Sequence, residues 1–262
     1  MSPIYTPGKL TLAKTFTWNE TVWNPSMVET ELWLDAADNT TVFSDAGTTQ
    51  AIAGTSTIQQ WNDKSGKGRH VSQTDSAKRP SYATNKIGGK VAIDWGNSVN
   101  SKNLLRSSMQ YSPARYFGVA QYTGPNPFPQ WCSVVIHNYT GSPDLFTGFA
   151  GATTWFGDGS FFIKTFFDGS SVSTNTALPA VLNPFIFATD YTKNTNRTDV
   201  YIGNDRDTAG RSWIGVMSEI IATTSVPSTL VKQKIEGYLA HKWGLTANLP
   251  SDHPYKTVGP TP

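Results

Sequence analysis

The first residues to weigh for chemistry are the carboxylates, and the glutamates are few: positions 20, 29, 31, 219 and 236. Cleaving a glycosidic bond takes two carboxyl groups placed on either side of it. Glu29 and Glu31 stand two residues apart, the spacing that puts both on one face of a strand, but no further acid is in register with them. They read as a solvated strand end. Glu219 is the sharper candidate, because it interrupts Trp213-Ile-Gly-Val-Met-Ser-Glu-Ile-Ile-Ala222, a run apolar on both sides of it. An acid buried there needs partners. Two readings stay open: a ligand contact, or a carboxylate that bonds backbone or basic groups on a helix-facing side of the strand.

The remaining reactive types are scattered. His70, His137, His241 and His253 make neither His-x-x-x-His nor His-Glu-x-x-His, so no zinc motif is present. The sequence holds no Gly-x-Ser-x-Gly elbow, phosphate-binding glycine loop or dinucleotide fingerprint. Cys132 is the one cysteine, which excludes an intramolecular disulfide, and within Trp131-Cys-Ser-Val-Val-Ile136 it reads as a small buried apolar group. Oxygen-rich loops offer Asp205 and Asp207, in Asn204-Asp-Arg-Asp207, and Asp158, the ligand type that calcium prefers. Arg206 argues against a cation in the first loop, and turn chemistry accounts for both. No cofactor is expected, calcium aside. For a sugar ring, Trp95 and the Trp155-Phe156-Gly-Asp158 segment could supply a stacking surface; core packing is the competing use. Phe161, Phe162, Phe166 and Phe167 put rings on both faces of one strand, one face core and the other toward a subunit or ligand.

These residues must be carried mainly by strands. Alternating apolar patterns recur at Leu32 to Ala36, Ile58 to Trp61, Val91 to Trp95, Tyr116 to Tyr122, Trp131 to His137, Phe161 to Phe167, Phe185 to Tyr191, Val200 to Gly203 and Trp213 to Ala222. Nine or ten strands separated by Gly-, Asn- and Pro-rich turns are best folded as two packed antiparallel sheets. In the last strand Ile214, Val216 and Ile220 are expected to point one way. One helix follows over about 228–243: Pro227-Ser228 opens it, Gly244 closes it, and Val231, Ile235, Tyr238, Leu239 and Lys242 make one stripe. Gly237 inside it implies close packing of the helix backbone on the sheet.

Composition fits this reading. Aromatic residues make up 12% of the 262 and charged residues 15%, with 22 glycines and 16 prolines, a balance suited to many short strands and tight turns. A formal charge of +2 gives no basic stripe, so nucleic acid and polybasic membrane contacts are not expected. No apolar run approaches the roughly 20 residues of a membrane span. Met1 is followed by Ser-Pro-Ile-Tyr-Thr-Pro-Gly-Lys, without a basic and then apolar leader, so no secretory signal is expected. Residues 1–27 have no clean period yet hold Tyr5, Leu10, Leu12, Phe16, Trp18 and Trp23. They form an arm that packs on its own domain, residues 28–262, or docks on a neighbouring subunit.

Leu32-Trp-Leu-Asp-Ala-Ala-Asp38, Trp61-Asn-Asp-Lys-Ser-Gly-Lys-Gly-Arg-His70, Arg79-Pro-Ser-Tyr82, Met217-Ser-Glu-Ile-Ile221, Ile235-Glu-Gly-Tyr-Leu-Ala-His-Lys-Trp-Gly-Leu245 and Leu249-Pro-Ser-Asp-His-Pro-Tyr255 stand in this order. Together they resemble the concanavalin A-like, laminin-G-like jelly-roll modules, in the variant found in tailed-bacteriophage structural proteins and bacterial surface proteins. The resemblance covers roughly residues 30–256. It implies an all-β, two-sheet antiparallel jelly-roll sandwich with one C-terminal α-helix, binding glycan or protein on a concave face or loop tips, and no enzyme. Glucanases of that architecture carry Glu-x-Asp-x-x-Glu, which no glutamate here completes.

The expectation is a non-enzymatic virion protein, a capsid decoration, fibre or tail adhesion component, made in the host cytoplasm. Its arm would hold other capsid or tail proteins, and it would be a homo-oligomer. The alternative is a lectin module for a host-surface glycan, or a glycan hydrolase or lyase.

Overall fold

The structure is a computed structural model that describes residues 22–97, 102–106, 113–124, 132–138, 145–149, 155–157, 162–172, 183–191, 199–205 and 207–262. In chain order the strands are β1 Thr30–Asp35, β2 Val42–Phe43, β3 Gln60–Trp61, β4 Val71–Ser72, β5 Ser81–Ala83, β6 Ala92–Asp94, β7 Leu104–Arg106 and β8 Arg115–Tyr122. There follow β9 Cys132–Asn138, β10 Leu145–Phe149, β11 Trp155–Gly157, β12 Phe162–Phe167, β13 Ser170–Val172, β14 Phe185–Tyr191, β15 Asp199–Ile202 and β16 Gly215–Thr223, and then the helix α1 Thr229–Trp243.

Two antiparallel sheets result. One has the order β13-β12-β14-β8-β16-β6-β5, with β1 also paired to β16; the other runs β11-β10-β9-β15-β7-β4-β3-β2. Between them lies a core of Leu32, Leu34, Tyr116, Phe187 and Ile220 from the first sheet and Trp61, Val71, Leu104, Val134 and Ile202 from the second. The first sheet is covered again on its other face, where Trp33, Phe117, Val119, Ile186 and Ile221 meet Ile235, Leu239, Ala240 and Trp243 of α1. A sheet covered on both sides is buried at every position rather than at alternate ones, as β14 and β16 are, so their polar residues Asp190 and Glu219 are buried with the rest. In the second sheet β15 keeps the half-buried alternation of a one-sided strand, with Val200 and Ile202 buried and Asp199 and Tyr201 partly exposed. Cys132 is fully buried in the inter-sheet core, and burial pushes its thiol up to about 12.

The helix begins and ends where its sequence says it should. Ser228 caps the N-terminus by accepting from Val231 N, and Gly244 closes the last turn at φ 72°, donating to Ala240 O. Gly237 has a different cause from the one expected. A Cβ there would lie 2.4 Å from the Cβ of Tyr255, so the glycine admits the C-terminal tail rather than the sheet.

Strand β16 departs most from simple alternation. Gly215 has φ 131°, and a Cβ on it would meet Gln121 O at 2.1 Å, so this backbone needs glycine. A bulge follows between Met217 and Glu219, where the partner on one edge changes from β6 to β1. Ile214 and Ile220 therefore face the inter-sheet core while Val216 faces the helix, and the three do not share a side. The bulge also decides Glu219: regular alternation from Met217 would send its carboxylate between the sheets, and the extra residue turns it toward α1.

The aromatic strand is corrected in the same way. Phe167 lies in the inter-sheet core, its ring centroid 5.6 Å from that of Phe185, and Phe166 packs on the helix side beneath Lys232, whose Nζ is 4.4 Å from the ring centroid. The second face of β12 is thus committed to the helix layer, not to a ligand. Phe161 and the side chain of Phe162 lie outside the described residues. The short strands β2, β4, β5 and β13 have two or three residues each, too few to show a period. β10 is hidden by Gly148, whose Cβ would fall 2.3 Å from Cys132 O. Among the described residues no helix is long and apolar enough to cross a membrane.

Candidate functional site

The densest polar arrangement in the described chain is built around Glu219, on the helix side of the first sheet. Its Oε1 accepts from Trp33 Nε1 at 2.7 Å and Tyr238 OH at 2.9 Å; its Oε2 accepts from Trp243 Nε1 at 2.7 Å and pairs with Lys242 Nζ at 2.8 Å. Lys242 also reaches Asp35 Oδ1 at 2.6 Å, Asp35 Oδ2 meets Lys64 Nζ at 2.8 Å, and Lys64 goes on to Asp38 Oδ2 at 2.8 Å. Acid and base alternate in a chain from a carboxylate with no exposure, Glu219, to one about a third exposed, Asp38. The Lys64 ammonium also lies 4.4 Å from the centroid of the Trp33 ring.

The elements set these positions. Asp35 and Glu219 are opposite one another in the β1–β16 register, and Tyr238, Lys242 and Trp243 come from the last turns of α1. Full burial raises the proton affinity of Glu219, the nearby charge of Asp35 adds to this, and Lys242 and Trp33 oppose it without reversing it. Burial also drives the Tyr238 hydroxyl far up, with Glu219 and Asp35 adding to the effect. Burial alone would pull Lys64 down, but Asp35 and Asp38 more than reverse it and raise its pKa. Burial pushes Asp38 up, and Lys64 and Thr40 outweigh it, so its pKa is lowered. Every acceptor position of Glu219 is in use, so of the two sequence readings the partnered carboxylate holds. Nothing local in the sequence marks Lys64; for Asp38 the one local signal is its i, i+3 spacing from Asp35 in Leu34-Asp-Ala-Ala-Asp38.

The other sequence candidates lie elsewhere and do not come together. Trp95 is fully exposed to nothing: it is 0% accessible in the inter-sheet core, against Gly203, where a Cβ would fall 1.9 Å from its Nε1. It packs and offers no face to a sugar, which corrects the stacking expectation. Trp155 and Phe156 lie in β11, with side chains outside the described residues, and Asp158 is outside them entirely. Asp205 is fully buried and pairs with Arg211; Asp207, in the left-handed region at φ 59°, meets Lys78 Nζ at 2.6 Å and Asn103 Nδ2 at 2.7 Å. Each carboxylate is already matched by a cation, and among the described residues no three acid, histidine or cysteine side chains gather as a metal site. Glu31 also proves buried rather than solvated: it pairs with Arg69 and accepts from Thr224 Oγ1 at 2.6 Å.

No family model and no curated protein sequence matches the chain.

A second candidate surface lies where the described chain begins. Tyr5, Leu10, Leu12, Phe16 and Trp18 are outside the described residues, but Trp23 is 3% exposed and its ring meets Tyr238 edge-on at 6.1 Å. Asn24 caps the short 3-10 turn Pro25–Met27, and Thr30 Oγ1 donates to Pro25 O at 2.6 Å, tying this part of the arm to its own domain. Beside it Met27 and Leu230 are exposed and share one groove. An open groove of about 410 Å³ runs between Trp23, Val28, Leu230, Val231 and Pro262. Exposed apolar side chains gathered at one groove, here Met27 and Leu230 with Lys234 at its rim, are the kind of surface that marks an interaction face.

Proposed function

We propose that this protein is a non-enzymatic structural protein of a tailed-bacteriophage particle, attached through residues 1–27 and presenting its sandwich outward. The observation that carries the reading is the exposed apolar groove at Met27 and Leu230, close in sequence to the aromatic-rich leader. A leader with Tyr5, Leu10, Leu12, Phe16 and Trp18 has apolar side chains to hide, and the groove at Trp23, Leu230 and Val231 is open. Two packed antiparallel sheets with a closing helix support the concanavalin A-like, jelly-roll reading. Binding rather than catalysis is favoured because Glu219, the sharpest acid in the sequence, is sealed beneath α1 and saturated with donors. The helix covers one face of the first sheet, so contacts with a host surface fall to the second sheet and the loop tips.

Removing residues 1–21 leaves Trp23 in its seat and is expected to abolish incorporation of the chain into purified particles while leaving its far-ultraviolet circular dichroism unchanged. Equal incorporation of the shortened chain would overturn the anchoring role. In the lectin alternative, a glycan array gives signals that Trp155→Ala removes; a protein serving assembly alone gives none.

A further inference from the structure

The cluster around Glu219 holds the parts of a self-catalysed amide bond. Lys242 Nζ lies 2.6 Å from Asp35 Oδ1 and 2.8 Å from Glu219 Oε2, and Lys64 Nζ holds the other aspartate oxygen, Oδ2, at 2.8 Å. Asp35 and Glu219 are 3% and 0% exposed, and the indoles of Trp33 and Trp243 and the ring of Tyr238 wall the site. We infer that Lys242 and Asp35 join in an intramolecular isopeptide bond, with Glu219 moving the protons and Lys64 holding the developing oxyanion.

In water an ammonium and a carboxylate do not condense, because both ions are well solvated and water is in excess. Neither condition holds here. Amine and carboxyl are pre-positioned, which removes the entropic cost of bringing them together. The product replaces two buried charges by one neutral amide, relieving the desolvation penalty carried by the ion pair. Glu219 takes one proton from the Lys242 ammonium. The freed lone pair attacks Asp35 Cγ and forms the Nζ–Cγ bond, while negative charge gathers on Oδ2 against the Lys64 ammonium. Glu219 passes its proton to Oδ1, takes a second from Nζ and delivers that to Oδ1 as well; the Cγ–Oδ1 bond breaks and the oxygen leaves as water. One ammonium and one carboxylate become one amide and one water, with no other reactant. The raised proton affinity of Glu219 suits it to both halves of this shuttle. The bond ties β1, the first strand, to α1, the last helix, and so closes almost the whole described domain into one covalent ring.

The intact mass of the purified full chain tests this. The expected mass is that of the sequence less one water, and digestion should yield a branched peptide joining the Asp35 and Lys242 fragments. Lys242→Arg keeps the charge but cannot form the link, and is expected at full mass. Asp35→Asn should lose ammonia instead and reach the same linked mass as the wild type. Glu219→Gln should accumulate unlinked chain, and the other two variants keep the test decisive if that one does not fold. A folded wild-type chain that stays at full mass after prolonged incubation at neutral pH would overturn the proposal. A branched peptide carrying Lys64 in place of Lys242 would overturn the assignment of the nucleophile.

Discussion

The first sheet has two buried faces, and they solve the problem of burial differently. Toward the second sheet it presents Leu32, Leu34, Tyr116, Phe187 and Ile220 to a core that is dominated by apolar side chains. Toward α1 it presents apolar groups as well, but among them Glu219, Asp35 and the Trp33 indole, joined in one network with Lys242 and the Trp243 indole of the helix. The two faces also use tryptophan differently. Trp61 is wholly buried in the inter-sheet core with no hydrogen-bond partner for Nε1 among the described residues, whereas Trp243 is equally buried and donates to Glu219. The inter-sheet face is held mainly by packed volume, with local bonds such as Tyr82 OH to Ala36 O at 2.7 Å, so its apolar residues are interchangeable within size limits. The other is held by matched donors and acceptors, where removing one partner strands the rest.

The largest effect should come from the apolar face. Phe187→Ala removes a fully buried ring from the middle of β14 and is expected to cost about 3–5 kcal/mol, read as a fall in the midpoint of urea unfolding. A loss under about 1 kcal/mol would mean that the inter-sheet core collapses around the gap and is not held by close packing.

The next comparison separates the faces directly. Trp243→Phe and Trp61→Phe remove the same atoms, but only the first removes a hydrogen bond to a buried carboxylate. Trp243→Phe is expected to be the more destabilising by about 1.5–3 kcal/mol, the net worth of a hydrogen bond to a charged group. Equal losses in chemical denaturation would show that the Glu219 network contributes nothing beyond its volume.

The sequence made the apolar face legible and left the polar one half-read. Alternation located most of the longer strands, and Ser228, Gly244 and the Val231 to Lys242 stripe located α1, because capping and period are local properties. Glu219 was visible as an anomaly in an apolar run. Its surroundings are not, since Trp33 and Asp35 are brought to it by strand pairing, Tyr238, Lys242 and Trp243 by helix docking, and its own side is set by a bulge that no local pattern announces. The same limit explains Trp95 and Phe166: an aromatic side chain on a strand has two faces to choose from, and the choice depends on which layer covers it. The N-terminal segment fits either an arm or a packing piece by its sequence, and Trp23 and Pro25, buried against the domain, pack on it.

A smaller effect is expected at the edge of the helix-side face. Ser228→Ala deletes the acceptor for Val231 N and should cost about 1 kcal/mol, visible as a lowered thermal midpoint without a change in fold. The helix docks through Ile235, Leu239 and Trp243, so this loss should leave the Glu219 contacts in place and add to that of Trp61→Phe.

The smallest effect concerns a carboxylate whose environment is the inverse of that of Glu219. Asp45 lies in the exposed loop after β2, where hydrogen bonds from Thr49, Thr48 and Gly47 stabilise its charged form and hold its pKa at about 2, against an ordinary 3.8. Because the folded value is the lower one, its contribution to stability is complete above 3.8 and fades as pH falls through about 2. Burial raises the pKa of Glu219, so that group acts in the opposite sense: its contribution is complete below 4.5 and declines as pH rises toward its folded value. Asp45→Asn should therefore flatten the acid limb of the stability curve between 3.8 and about 2 and leave its slope near neutral pH unchanged. Urea unfolding across that range, wild type against variant, checks it. An acid limb of unaltered steepness would place the acid sensitivity in the buried carboxylates instead, and the exposed loop would then be a bystander to the polar network beneath the helix.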